Sequence, residues 1–275
     1  MGRYFLYRMH PLSVAELLKP EISKEKISLP KKIDKESFQQ LLTFGGFPEP
    51  YLKNNARFYN KWKRLRTEQF FYEDIRDITN IYETGQIRVF ADLIKAGVGT
   101  LFNYSWYASN TNVSVDTIRR WLGLLEMLYY CFMVRPWFRN IPKSLRKQPK
   151  VYLWDWSIIE DPGARMENFM ASHLLKAVHY WTDNGFGDYE LYFLRDKAKR
   201  EVDFLVTQNG SPWFLVEVKS SYKRSLNPNF EYFHALLKTH HAFQVAIDLD
   251  YVERDCFSVS HPVRVPAETF LSQLI

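Results

Sequence analysis

The sequence predicts an α+β protein: a helical N-terminal region that closes in two strands, followed by a C-terminal α/β domain. Three observations predict it. Apolar residues recur at helical spacing over much of residues 34–127. After Trp156 the composition changes to an alternation of helical and strand-like segments. Within that second part, Arg200–Val206 and Trp213–Lys219 are short runs rich in Val, Phe and Leu, divided by the turn cluster Asn209-Gly210-Ser211-Pro212, which is the pattern of a hairpin.

In chain order, Arg3–Arg8 reads as a strand and Ser13–Leu18 as a short helix. A Lys/Glu/Ser-rich linker between Pro20 and Pro30 follows. Asp34–Thr43 reads as a helix stopped by Gly45-Gly46. Ala56 to about Asn80 reads as one long helix with Lys61, Lys63, Arg64 and Arg66 on a basic face, either solvated or turned to DNA. Thr84–Ala96 is another helix. Ser114–Glu126 is the helix-turn-helix candidate: Ser114 caps it, Ile118, Leu122 and Leu125 form its apolar stripe, and Arg119 and Arg120 lie off that stripe. Strands at Tyr129–Arg135 and Val151–Trp154 would form a wing, joined by a basic loop carrying Lys143, Arg146, Lys147 and Lys150. A winged helix-turn-helix-like unit of this kind serves either DNA, with the loop on phosphates, or a protein partner. Beyond it come a helix at Ala164–Trp181, a strand at Tyr189–Arg195, the hairpin, a helix at Asn229–His240, a strand at Phe243–Asp248 and a last helix at Ala267–Ile275. The predicted boundaries are 1–33, 34–156 and 157–275.

Composition excludes several classes. At 275 residues the chain has room for two cores. No run approaches the eighteen apolar residues of a membrane span, and the start lacks a secretory pattern. Cys131 and Cys256 stand far apart, as suits a reducing, cytoplasmic setting. The net charge of +6 permits nucleic-acid binding without requiring it. His173 and His179, six apart, and the adjacent His240 and His241 lack the spacing of a metal cluster.

The chemistry concentrates in the hairpin. Asp203 interrupts one apolar strand, and Glu217 and Lys219 interrupt the other. Burying unpaired charge is costly. Alternation puts Glu217 and Lys219 on one face, and pairing brings Asp203 beside them. Two readings fit. Asp203 and Glu217 hold Mg²⁺, with Lys219 acting on water and phosphate in phosphodiester hydrolysis, or Lys219 neutralises the two carboxylates and no metal binds.

Asp203, thirteen intervening residues, then Glu217-Val218-Lys219, preceded by Glu167 on a helix, resembles the PD-(D/E)XK nuclease superfamily. The resemblance implies a restriction-endonuclease-like α/β domain in which Glu167, Asp203 and Glu217 bind metal. It makes Asp203, Glu217 and Lys219 catalytic, and Arg195 and Arg200, which flank the hairpin, would grip DNA. Gly2–Ser13 resembles the end of the ATPase core in a family of prokaryotic AAA-type ATPases, and Phe44-Gly-Gly-Phe-Pro-Glu49, Pro149–Asp155, Met166–Phe169, Glu201–Phe204 and Glu217–Ser220 resemble the C-terminal region of those proteins, DUF4143. The ATPase core that normally precedes a Gly-Arg-Tyr-Phe segment is missing, and no Gly-x-x-x-x-Gly-Lys-Ser/Thr loop occurs. The resemblance therefore implies a DNA-binding, Mg-dependent nuclease that does not turn over ATP by itself. The alternative is a non-catalytic recognition module working with an ATPase partner.

Overall fold

A computed structural model describes residues 5–19, 21, 24–78, 84–138, 147–221 and 225–275. Its helices begin where the capping chemistry says they should. Ser13 opens α1 (Val14–Leu18) with a full capping box to Glu16. Asp34, Asn55, Asn103 and Ser114 cap α2 (Lys35–Phe44), α4 (Ala56–Gln69), α7 (Tyr104–Thr111) and α8 (Val115–Met127). Between these lie α3 (Pro48–Lys53), α5 (Ile75–Ile78) and α6 (Thr84–Ala96). The helix predicted from Ala56 to Asn80 is interrupted by a π-helical turn over Phe70–Asp74. There both Phe70 and Phe71 meet the ring of Tyr130, at 5.3 and 6.0 Å between centroids. Two consecutive residues facing one ring is a placement that regular helical spacing does not provide.

Among the described residues the strands form one mixed sheet of seven in the order β2-β1-β3-β4-β5-β6-β7. They are β1 (Cys131–Pro136), β2 (Lys150–Leu153), β3 (Tyr189–Arg195), β4 (Glu201–Gln208), β5 (Ser211–Lys219), β6 (His241–Ala246) and β7 (Pro262–Pro266). Three further helices are α9 (Pro162–Asp183), α10 (Pro228–Leu237) and α11 (Ala267–Gln273). The two strands expected as a wing do pair antiparallel, but β1 also pairs parallel with β3 through Arg135↔Tyr192 and Pro136↔Phe193. They are the edge of the central sheet, and that sheet runs across the boundary predicted at 156/157. One apolar core does the same, joining Leu41, Phe90 and Trp121 of the helical region to Phe169, Phe204 and Phe243. A smaller cluster under α10 includes Leu205, Leu215, Phe230 and Phe233.

The part of the strand expected at Arg3–Arg8 that the structure describes, Phe5–Arg8, is not a strand. Arg3 and Tyr4 lie outside the described residues, and 5–13 have no regular structure. Phe5, Leu6 and Met9 stand exposed with no strand alongside them. Residues 8–12 are instead held as a strap on α9 and the Gly-Gly turn. Arg8 pairs with Asp183 at 2.5 Å, His10 Nε2 lies 2.9 Å from His179 Nδ1, and Leu12 N–H donates to the Gly46 carbonyl at 2.7 Å. A Cβ on Gly46 would lie 2.6 Å from both Pro11 Cβ and Trp156 Cη2. Gly46→Ala is therefore expected to lower stability by about 1–3 kcal/mol, the usual cost of overpacking. Gly123 in α8 has open space around it, so Gly123→Ala should stabilise by about 0.5–1 kcal/mol through helix propensity. Urea titration of the two variants checks both signs.

Candidate functional site

The site grows out of the β4–β5 hairpin. Its turn is Asn209-Gly210, both with positive φ (51° and 75°), the two-residue turn whose twist suits a hairpin. Asn209 is locked by Asp188, whose N–H donates to Asn209 Oδ1 at 2.9 Å. The register runs from Gln208↔Ser211 through one shift near Thr207 to Phe204↔Val216. One further step places Asp203 opposite Glu217. The ladder stops there, and the Asp203 carboxylate takes over as acceptor: Val218 N–H donates to Asp203 Oδ2 at 2.8 Å. Along β5 the alternation holds. Phe214, Val216 and Val218 pack on the main core and Leu215 on the cluster under α10, so Glu217 and Lys219 share the α10 side.

Glu217 is 3 % exposed. Its Oε1 accepts from Lys219 Nζ at 2.5 Å and from Asn227 Nδ2 at 3.0 Å. Asn227 is also the N-cap of α10, so the carboxylate lies by the positive end of that helix. Glu217 Oε2 is buried with no hydrogen-bond partner among the described residues. An uncompensated buried carboxylate oxygen is unusual and favours a ligand there.

The second half of the constellation centres on a residue that the sequence assigns to a different role. Lys150 is expected on an exposed loop facing DNA. It is instead 3 % exposed and opens β2. Its ammonium lies 2.7 Å from Glu201 Oε1 and 3.3 Å from Glu167 Oε1. Glu167 Oε1 also accepts from the buried Tyr152 hydroxyl at 2.7 Å. The loop between α6 and α7 crowds the same atom, since a Cβ on Gly99 would come within 3.0 Å of it. Desolvation alone would lower the Lys150 pKa, but Glu167, Asp203 and Glu201 outweigh it and raise the value. Glu201 is held below the usual range by Lys150 and Arg195, against its own burial. Asp203 is pushed up to about 7, first by burial and then by Glu167, with Lys150 opposing. Four carboxylates, Glu167, Glu201, Asp203 and Glu217, and two lysines, Lys150 and Lys219, thus form one electrostatic cluster. Among the described residues, however, no three His, Cys, Asp or Glu side chains are grouped closely enough to hold a metal ion.

The other predicted contact residues are scattered. Arg195 pairs with Glu201. Arg200 pairs with Asp196 at 2.6 Å and lies 3.7 Å over the Tyr232 ring. Arg119 is exposed beside Asp116 at 2.8 Å, and Arg120 and Lys147 are exposed. Lys143 and Arg146 lie outside the described residues. The residues that sequence reasoning misses are Tyr152 and Glu201, and Lys150 in its actual role. A signal for one is present, because a Lys leading the apolar run Val151-Tyr-Leu-Trp154 heads a strand with no polar face to spare.

Residues 35–161 match the family model described as domain of unknown function DUF8612, and residues 162–260 match domain of unknown function DUF4143. The second match covers the whole hairpin and Glu167. The Phe44–Glu49 and Pro149–Asp155 motifs fall within the first. Two mycobacterial proteins, each named only as an uncharacterized protein, one from Mycobacterium bovis and one from Mycobacterium tuberculosis, are 23 % identical over 184 residues. The alignment spans 62 % of this chain and 40 % of each relative, so the chain covers about two fifths of their length. No solved structure matches. No helix among the described residues is long and apolar enough to cross a membrane.

Proposed function

We propose that the chain is a nuclease-like recognition module that binds DNA without cutting it and works with an ATPase. The observation that supports the non-cutting half of this reading is the internal neutralisation of the carboxylates. Lys150 is shared by Glu167 and Glu201, and Lys219 is spent on Glu217. The fit to Mg²⁺ is poor in this arrangement. Mg²⁺ demands near-octahedral oxygen ligation, yet Glu167 Oε1, Asp203 Oδ2 and Glu217 Oε1 each already accept from protein donors. DNA is favoured as the partner by the net charge of +6 and by the exposed Arg119, Arg120 and Lys147, since phosphate contacts dominate non-specific affinity.

The second reading is a Mg-dependent endonuclease with Asp203 and Glu217 as ligands and Lys219 beside the attacked phosphate. The unpartnered Glu217 Oε2 favours it. Incubating the protein with single-stranded, duplex and branched DNA in Mg²⁺ or Mn²⁺ decides between them. Binding without cleavage is the expected result. Cleavage that Lys219→Ala or Asp203→Ala removes would establish the second reading. Replacing Arg119, Arg120 and Lys147 with Ala should weaken DNA binding and flatten its salt dependence, by about 0.9 in the logarithmic slope for each phosphate no longer neutralised. An unchanged slope would move the DNA surface elsewhere.

A further inference from the structure

A cavity of about 570 Å³ opens in the helical region, and none of its lining residues belongs to the carboxylate cluster. Six lysines and arginines face three carboxylates in it, an excess of three positive charges. Part of that charge is neutralised within the fold. Arg66 pairs with Asp155 at 3.1 Å, Lys95 with Glu160 at 3.6 Å, and Arg64 lies 3.9 Å from Glu68. Lys63, Arg88 and Arg165 differ, since among the described residues they form no ion pair with a carboxylate. They come from three helices, α4, α6 and α9, and each is half-buried. Other contacts hold them in place. Arg165 Nε donates to the Ile159 carbonyl at 2.8 Å, Arg88 Nη1 to the Tyr72 hydroxyl at 3.4 Å, and Lys63 Nζ lies 5.3 Å from the centre of the Tyr59 ring. Like charges converging half out of water repel one another, and an anion between them removes that cost.

The remaining wall is aromatic, from Tyr59, Trp62, Phe70, Phe71, Tyr129 and Tyr130. Two irregularities of the backbone supply four of these rings. One is the π-helical turn at Phe70–Asp74, a feature frequent at functional sites. The other is Tyr129, which ends α8 in the left-handed region at φ 56°, with Tyr130 N–H donating to the Leu125 carbonyl at 2.9 Å. That cap favours glycine, and a bulky residue in it is strained. Tyr129 is 57 % exposed, so burial does not offset the strain. Strain of this kind collects at binding sites. We propose that the cavity binds a nucleoside phosphate, with its phosphates on Lys63, Arg88 and Arg165 and its base among the rings. Guanidinium forks match phosphate oxygens, and aromatic faces stack on bases. The volume falls in the range of small-molecule sites. A nucleoside diphosphate carries about three negative charges near neutral pH, which balances the excess.

Calorimetric titration of the full chain with ADP, adenosine and pyrophosphate tests the site. ADP should bind one per chain, about tenfold more tightly than either of the other two, and should raise the urea midpoint. Lys63→Ala and Arg88→Ala should each weaken ADP about tenfold, the worth of a charge-assisted hydrogen bond. Arg88→Met, which keeps the stem, should lose as much. Arg57→Ala removes a charge from an exposed position of α4 outside the cavity and should leave the affinity within about twofold. Tyr129→Gly should cost little stability, because the left-handed cap suits glycine, yet weaken ADP about fivefold through lost stacking. A terminally phosphorylated dinucleotide separates the two sources of this chemistry. If it binds more tightly than ADP, with the same loss in Arg88→Ala, the ligand is a strand end; if ADP binds more tightly, it is a free nucleotide. No saturable binding of any probe would overturn the proposal. So would pyrophosphate binding as tightly as ADP, or a loss in Arg57→Ala as large as in Arg88→Ala.

Discussion

Asp203→Asn is expected to stabilise the protein at pH 8 by about 2–4 kcal/mol and to change little at pH 4. Burial and the neighbouring Glu167 push the Asp203 carboxyl up to about 7 from an ordinary 3.8, against the opposing pull of Lys150. Between those two values the native state holds a proton that the unfolded chain has released. Stability therefore falls as pH rises from about 4, and the full cost is reached above about 7. A tenfold change in proton affinity is worth about 1.4 kcal/mol. The amide carries no charge and still offers an oxygen to Val218 N–H, which donates to Asp203 Oδ2 at 2.8 Å. Urea midpoints at pH 4, 6 and 8 give the profile. An Asn variant less stable than wild type at pH 8 would mean that Lys150 depends on the ionised Asp203, and that the cluster is stabilised as a set of charges.

Asp155→Ala should cost about 2–4 kcal/mol, the largest loss expected outside the carboxylate cluster. Asp155 is 5 % exposed. Its Oδ2 accepts from Arg66 Nη1 at 3.1 Å, and its Oδ1 caps the short 3-10 helix Trp156–Ile158 through Ser157 N–H, also at 3.1 Å. The Ser157 hydroxyl donates to the same oxygen and accepts from Tyr59. Arg66 stacks 3.7 Å from the centre of the Phe47 ring, so its charge is left facing an aromatic wall when its partner goes. Removing one member of a fully buried ion pair costs about 3–5 kcal/mol. Arg66 keeps part of its side chain in water, which lowers the expectation. Asp155→Asn, which retains the capping oxygen, should lose less. Equal losses in the two variants would place the effect in the charge and not in the helix cap.

The hairpin and its charges are legible in the sequence because strand alternation is local. Asp203, Glu217 and Lys219 sit where a period of two places them, and Asn209-Gly210 announces its own turn. The helix starts are legible for the same reason, since each cap is made within three residues. What the sequence does not carry locally is pairing at a distance. The parallel step from β1 to β3 joins residues more than fifty positions apart, and it turns an expected wing into a sheet edge. Lys150 escapes through the same gap. In the sequence it continues a basic run, and only the position of β2 against α9 and β4 turns it inward. The π-helical turn at Phe70 answers to Tyr130, another partner that helical periodicity in Ala56–Asn80 cannot see.

The β1–β3 step has a bearing on how this chain can be divided. A cut at the junction of the two family matches would take Arg135 and Pro136 away from Tyr192 and Phe193, and with them the hydrogen bond from Trp137 N–H to the Phe193 carbonyl at 2.9 Å. The freed 162–260 fragment would then present β3 as an open strand border, able to recruit another molecule's backbone. The same cut leaves its acids without their lysine. Fragments made at that seam would stick to one another and repel within themselves, so the two matched stretches fold as one unit despite their separate sequence signatures.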